Sequence, residues 1–245
     1  MTRIAADVLK KLARISTATV ANLIELFDVR SPRDGFMDAR VTAYFPELGP
    51  MVGFASTATY RTCGQTRRHA AGPERSIEEE HVERFGELSG PAVVVIQDLD
   101  DPPHAAAFGD CGCAIYEAFG AAGLVTNGPG RDLEGVRRLD FPVFGHGSVC
   151  AHGIPRFLDL HVPVRIGGLT VYPDDLLHGD RDGIATIPRE IAAELVDVAD
   201  EWTAAEEEFR GSLLAGPASV RSLRDALDTL DAKVEAIRNQ VSRMR

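Results

Sequence analysis

Apolar residues return along this chain with two periods. Over residues 4–27 they recur every three or four positions, the helical period, with a break at Ser16–Thr17. Either hydroxyl there can cap a second helix, TVANLIELF. SPRDGFMD (31–38) reads as a turn, and VTAYF, MVGFASTATY and PAVVVIQDL (91–99) read as strands. A polar, charged stretch from Arg61 to Gly90 separates the last two and ends in a short helix. The helical period resumes in CGCAIYEAFGA (111–121), where Ile115 and Phe119 share a face. AGLVTNG then reads as a strand, DLEGVRRL as a short helix and FPVFGHG as a short strand. PVRIGG, LTVYPDD and IATIP follow as β segments divided by G-G, P-D-D and D-G turns. A long helix begins at EIAAELVDVADEW. Helices, then strands, then alternating strands and helices predict an α/β fold with mixed strand pairing.

The last stretch has a pattern of its own. After Gly216–Pro217, apolar residues fall at Val220, Leu223, Leu227, Leu230, Val234, Ile237, Val241 and Met244, alternating three and four apart. That is a heptad seam, which predicts a coiled coil and self-association. The plainer alternative is an amphipathic helix folded onto its own domain, although such helices carry a wider apolar stripe. The expected division is therefore a domain over 1–216 and a heptad-patterned helix over 217–245.

Composition narrows the function classes. The 245 residues carry a net charge of −11, which opposes a phosphate-backbone partner and predicts no nucleic-acid binding. No apolar run approaches the roughly 20 residues that span a bilayer, so no membrane partner is expected. The N-terminal MTRIAADVLKKLARIS lacks the long apolar core of a signal peptide. Cys63, Cys111, Cys113 and Cys150 show no paired zinc-type spacing, and a reduced, cytoplasmic protein is the simplest expectation.

Two stretches are candidates for chemistry. In AAFGDCGCAIYEAFG, Asp110 can cap a helix whose free N–H groups near Cys111, Gly112 and Cys113 would attract an anion. A common N-cap aspartate explains the same residues. In VTNGPGRD, a strand ends in a glycine-rich turn followed by Arg131 and Asp132. Arg131 offers a planar fork for a carboxylate, and Asp132 a hard oxygen ligand for Mg²⁺ or Mn²⁺. A solvated pair capping the next helix fits the spacing equally. His146 and His152 lack any partner motif and read as ordinary loop histidines. HGDRDG (178–183) reads as a hairpin turn. No nucleophile elbow, P-loop or dinucleotide fingerprint is present.

Asp110, twenty intervening residues and then Arg131–Asp132 resembles the D-x20-R-D motif of the RraA-like superfamily. That superfamily includes class II pyruvate aldolases acting on 4-hydroxy-4-methyl-2-oxoglutarate and 4-carboxy-4-hydroxy-2-oxoadipate, and the proteins named as regulators of ribonuclease E. LARISTATVANLIELF, GLVTNGPGRDLEGVRRLDFPVF and PVRIGGLTVYPDDLLHGDRDGIATIPREIA are also similar to it, so the likeness covers roughly residues 10–200. The resemblance implies a swivelling β/β/α fold, assembled as a trimer or a dimer of trimers with active sites between subunits. It implies Mg²⁺ or Mn²⁺ held by Asp132 largely through water. Arg131 and the N–H groups of Cys111 and Gly112 would bind a small 2-oxo acid, and Asp110 would orient a water beside Arg131. An acidic residue from a neighbour would support the metal's waters; Glu206, Glu207 and Glu208 are candidates, with Glu207 preferred. The implied activity is a lyase that releases pyruvate through an enolate, with oxaloacetate decarboxylation as a side reaction. The alternatives are a non-catalytic regulator of a ribonuclease or helicase, or an enzyme on a sugar acid. Asn22 stands where the family usually has an acidic residue, Pro129–Gly130 precede Arg131 where many members carry a small apolar residue, and the heptad tail is not a general family feature.

Overall fold

The computed structural model describes residues 4–63 and 77–244. The polar stretch 64–76 lies outside the described residues, as do the side chains of Ile77, Arg243 and Met244. The chain opens with two helices, α1 (Ala6–Leu12) and α2 (Thr17–Leu26). The Ser16 hydroxyl accepts from the Thr19 N–H at 3.1 Å, so Ser16 is the cap of α2. The strands are β1 (Thr42–Ala43), β2 (Met51–Arg61), β3 (Ala92–Asp98), β4 (Gly123–Thr126), β5 (Val143–Gly145), β6 (Arg156–Leu160), β7 (Val164–Ile166), β8 (Leu169–Val171), β9 (Leu176–Asp180) and β10 (Gly183–Ile187). Helices α3 (Ile77–Glu83), α4 (Asp110–Ala118) and α5 (Leu133–Arg138) lie between strands, and α6 (Ala192–Leu214) and α7 (Val220–Met244) close the chain.

One mixed sheet carries the order β1-β5-β4-β3-β2-β9-β10. Strands β2 to β5 are parallel to one another; β1, β9 and β10 are antiparallel to their neighbours. The long strand β2 divides one of its edges, pairing with β9 through Met51–Phe54 and with β6 through Ala58–Arg61. Strand side chains alternate between faces, and β3 shows the consequence. Val94 and Ile96 join the cluster under α4 and α5, while Val93 and Val95 join the one under the β7–β8 hairpin. With both faces covered, β2 is buried from Met51 to Tyr60, so its polar Ser56, Thr57 and Thr59 need internal partners. Thr57 donates to the Val162 carbonyl at 2.6 Å, and Ser56 pairs with the His161 ring at 3.1 Å.

A third cluster joins α1, α2 and α6 to the sheet. His178 on β9 stitches it together: its Nε2 donates to the Leu12 carbonyl at 3.0 Å, and its Nδ1 accepts from the Thr17 hydroxyl at 2.9 Å. Asp180 holds the same helix, accepting from the Thr17 N–H at 2.9 Å. D-R-D-G is the β9–β10 turn, as its spacing predicts, with Gly183 opposite Asp180.

Four expectations need correction. Strands β6 and β9 form where no strand is expected, because neither RFLDL nor LLHGD has a clean apolar alternation. Only Thr42–Ala43 of VTAYF pairs as a strand. Ile115 on α4 and Phe119 at its end share a face as expected, but it is the outer one, 39% and 62% exposed, and the helix buries Cys113 and Tyr116 instead. The heptad seam is divided in α7, which runs back along α6 with Lys233 ion-paired to Glu208. Ile237 and Val241 are buried in the cluster of α1, α2 and α6, with Val234 packed against it, so this half folds onto its own domain. Val220, Leu223 and Leu227 stay exposed.

Candidate active site

Helices α4 and α5 each follow a parallel strand and begin beyond its carboxyl end, where the crevices of parallel sheets admit ligands. The two starts are tied directly. Ala107 donates to the Pro129 carbonyl at 2.8 Å, and Arg131 N–H to the Phe108 carbonyl at 3.1 Å. Gly109 lies so near the Arg131–Asp132 pair that a Cβ there would sit 3.0 Å from Asp132 Oδ2. Gly135 gives Asp110 its place: a Cβ on it would fall 2.5 Å from Asp110 Oδ2. Asp132 itself is left-handed, φ 53°, a conformation that aspartate tolerates better than most residues. Its Oδ2 is ion-paired with Arg131 Nε at 3.2 Å, and both side chains remain partly open to solvent.

These residues line a cavity of about 260 Å³. Asp110, Cys111, Gly112, Arg131 and Asp132 form one part of its wall. Asp110 is the first residue of α4, and Gly109 takes the capping position. The Asp110 carboxylate accepts from the Cys111 N–H at 2.7 Å. That N–H, expected to hold a substrate, already has a partner. Cys113 departs further from expectation. Its N–H donates to the Gly109 carbonyl at 3.0 Å, and its side chain is fully buried, away from the cavity wall. Burial pushes its thiol up to about 12, so it stays protonated. Glu207 is exposed on α6 and does not line this cavity in its own chain.

The rest of the wall was not legible as a site in the sequence. Tyr60 at the end of β2, Glu78 in the first turn of α3, Tyr116 on α4 and His152 before β6 all line the cavity. No motif links them, since they come from four distant segments. Burial raises the pKa of both tyrosines, with Asp98 and Glu78 adding to it at Tyr60 against an opposing Arg131 and Glu78 adding to it at Tyr116, so both phenols stay neutral. Behind them lies His81, whose Nε2 faces the Ser56 carbonyl at 3.4 Å and whose Nδ1 faces the Tyr116 hydroxyl at 3.2 Å. A carbonyl only accepts, so Nε2 carries the hydrogen and Tyr116 donates to Nδ1.

Burial lowers the His81 pKa to about 4, against about 6.5 for a free imidazole. Between those values the unfolded chain binds the extra proton, so stability falls as pH drops through this window and is intact above it. The full effect is on the order of 3 kcal/mol. Chemical denaturation at steps from pH 7 to 4 should show a shallower loss for His81→Gln than for the wild type. Parallel curves would contradict a neutral, buried His81.

Asp110 and Asp132 are hard oxygen donors of the kind Mg²⁺ and Mn²⁺ take. Among the described residues, no group of three or more His, Cys, Asp or Glu gathers closely enough to hold an ion. Two such carboxylates would leave most of a cation's coordination to water, which Mg²⁺ accepts readily. Among the described residues, no helix is long and apolar enough to cross a membrane.

Comparison with known proteins shows the family and the fold. The profile of the RraA-like family, described as Aldolase/RraA, matches residues 19–186. A protein of Halalkalibacterium halodurans, whose name provisionally makes it a 4-hydroxy-4-methyl-2-oxoglutarate aldolase, is 29% identical over 124 residues. The match covers 48% of this chain and 59% of that protein. A solved structure from Pseudomonas syringae pv. tomato superposes with a TM-score of 0.69 at 23% identity, over 93% of this chain and 96% of the other, which shows a shared fold. Streptomyces coelicolor RraAS2, described as an unusual member of the RNase ES inhibitor RraA protein family, gives 0.66 at 25% identity, over 86% of this chain and 98% of the other.

Proposed function

This chain belongs to the RraA-like (Aldolase/RraA) family, and from that premise we propose that it is a divalent-metal-dependent lyase that cleaves a small 2-oxo acid to release pyruvate. The observation that carries the proposal is one cavity bringing Arg131, Asp132 and Asp110 together at the starts of two helices. An arginine fork, a metal-ligating carboxylate and a water-orienting carboxylate are the groups this reaction needs. A solvated surface pair would not require Asp110 to be set against the backbone of the neighbouring helix.

The chemistry follows from charge. Arg131 binds the carboxylate or keto end of the substrate. Asp132, together with water, would hold Mg²⁺ or Mn²⁺, and such an ion would supply positive charge beside the keto oxygen. The C4 hydroxyl gives its proton to solvent water and becomes a carbonyl as the C3–C4 bond breaks, and the electron pair of that bond becomes the enolate of pyruvate. Arg131 stabilises the developing negative charge. Asp110 orients a water that returns a proton to C3. The Gly112 N–H at the start of α4 would assist with the carboxylate. Glu207 would reach the site only from a second copy, in a trimer or dimer of trimers.

The test is pyruvate release from a panel of 4-hydroxy-2-oxo acids and oxaloacetate, with Mg²⁺, with Mn²⁺ and with chelator. Metal-dependent release lost in Asp132→Ala supports the reading. Absence of both release and metal binding would favour a regulator of a ribonuclease or helicase. A second variant probes Asp110 through its neighbour. Gly135→Ala forces the Asp110 carboxylate to shift and should lower kcat by about tenfold or more, since catalytic groups tolerate little displacement. An unchanged kcat in Gly135→Ala would remove Asp110 from the mechanism.

A further inference from the structure

The composition of the cavity wall narrows the substrate. Among the described residues that line it, Arg131 is the only arginine or lysine, and it stands beside Asp132. The carboxylates number three: Glu78, Asp110 and Asp132. Asp110 and Asp132 belong to the end that grips the 2-oxo acid. Glu78 lines the wall with Tyr60 and Tyr116, close enough for its charge to act on both phenols, and the Arg131 charge also reaches Tyr60. Ile96 and Phe157 also line the cavity and pack with the two tyrosines in one buried cluster, so this surface is largely apolar and aromatic. His152 is exposed, and its Nδ1 lies 3.2 Å from the Gly153 carbonyl of its own turn.

A substrate gripped by Arg131 at one end extends its other end along this surface. A second carboxylate there would lose water against aromatic carbon and meet Glu78 while Arg131, the one described arginine or lysine of the wall, is engaged with the first, a costly arrangement for a charge. An alkyl tail would gain from the same burial. A hydroxyl would find an acceptor in the Glu78 carboxylate.

We propose that this site takes a 2-oxo acid with a single carboxylate, whose far end is an uncharged alkyl or hydroxyalkyl chain seated on Tyr60, Tyr116 and Phe157 beside Glu78. Glu78 is then a specificity-determining residue that rejects dicarboxylates. The proposal deepens the lyase reading and rests on it for the grip at Arg131. It also sets this chain apart from its Halalkalibacterium relative, whose name specifies a dicarboxylic acid.

The experiment uses a pair of unreactive ligands that differ in one group. Binding of 2-oxopentanoate and 2-oxoglutarate is measured by calorimetry on the full chain with Mg²⁺, for the wild type and Glu78→Gln. In parallel, kcat/KM is compared for 4-hydroxy-2-oxopentanoate and 4-hydroxy-2-oxoglutarate. The wild type should favour the monocarboxylate by about tenfold or more, and Glu78→Gln should narrow that ratio by about tenfold, the scale of one lost charge contact. Preference for the dicarboxylate, an unchanged ratio in Glu78→Gln, or binding of neither ligand would overturn the proposal. The two readings fail separately. Monocarboxylate binding without turnover removes the lyase and keeps this specificity; turnover that favours the dicarboxylate keeps the lyase and removes it.

Discussion

Arg131→Ala is expected to lower kcat/KM for pyruvate release by about 10²–10³-fold, the effect of losing one well-placed donor to a developing oxyanion. Stability should change by less than about 1 kcal/mol, because the lost ion pair with Asp132 is partly solvated. The position of the residue makes the two effects separable. Its backbone N–H holds the Phe108 carbonyl and so locks the starts of α4 and α5 together, and that bond survives truncation of the side chain. Arg131→Lys sharpens the test. It keeps the charge and loses the planar fork, so activity should recover only in part. Steady-state kinetics with saturating metal, beside a thermal melt, decides it. Activity within threefold of wild type in Arg131→Ala would show that the charge does not act on the reacting atoms.

Ile237→Ala should destabilise the fold by about 2–5 kcal/mol, the range for an aliphatic side chain deleted from a packed core. Leu227→Ala, ten residues earlier on the same heptad seam, should cost less than about 1 kcal/mol. The structure makes equivalent seam positions unequal: Ile237 is 3% exposed among α1, α2 and α6, whereas Leu227 is 42% exposed. Urea unfolding of the two variants measures the difference. Equal losses would mean that α7 does not fold back as described. Light scattering on Leu227→Asp adds a second reading. A smaller particle with unchanged unfolding would assign the outer half of the seam to self-association, and an unchanged mass would end the coiled-coil expectation for it.

Local rules and spacing determined much of this protein. The Ser16 cap, the helical periods of α2 and α6, the D-R-D-G turn and the unbroken heptad pattern of α7 all depend on residues within a few positions of one another. The D-x20-R-D spacing marked both halves of the candidate site because each half is itself local, a helix start and a strand-end turn. Tertiary structure decided what periodicity leaves open. Helix α4 could have buried either Ile115 with Phe119 or Cys113 with Tyr116; its pattern permits both, and contact with β3, β4 and α5 selects the second pair. The seam of α7 was divided by the reach of α1, α2 and α6, which cover only its later half. Strands β6 and β9 exist because β2 is long enough to offer each a stretch of its free edge, a partnership no short window encodes. Tyr60, Glu78, Tyr116 and His152 meet at one cavity because the sheet brings segments far apart in sequence together. Local order follows from a residue's near neighbours in sequence, but which face is covered and which side chains share a cavity follow from contacts across the whole chain.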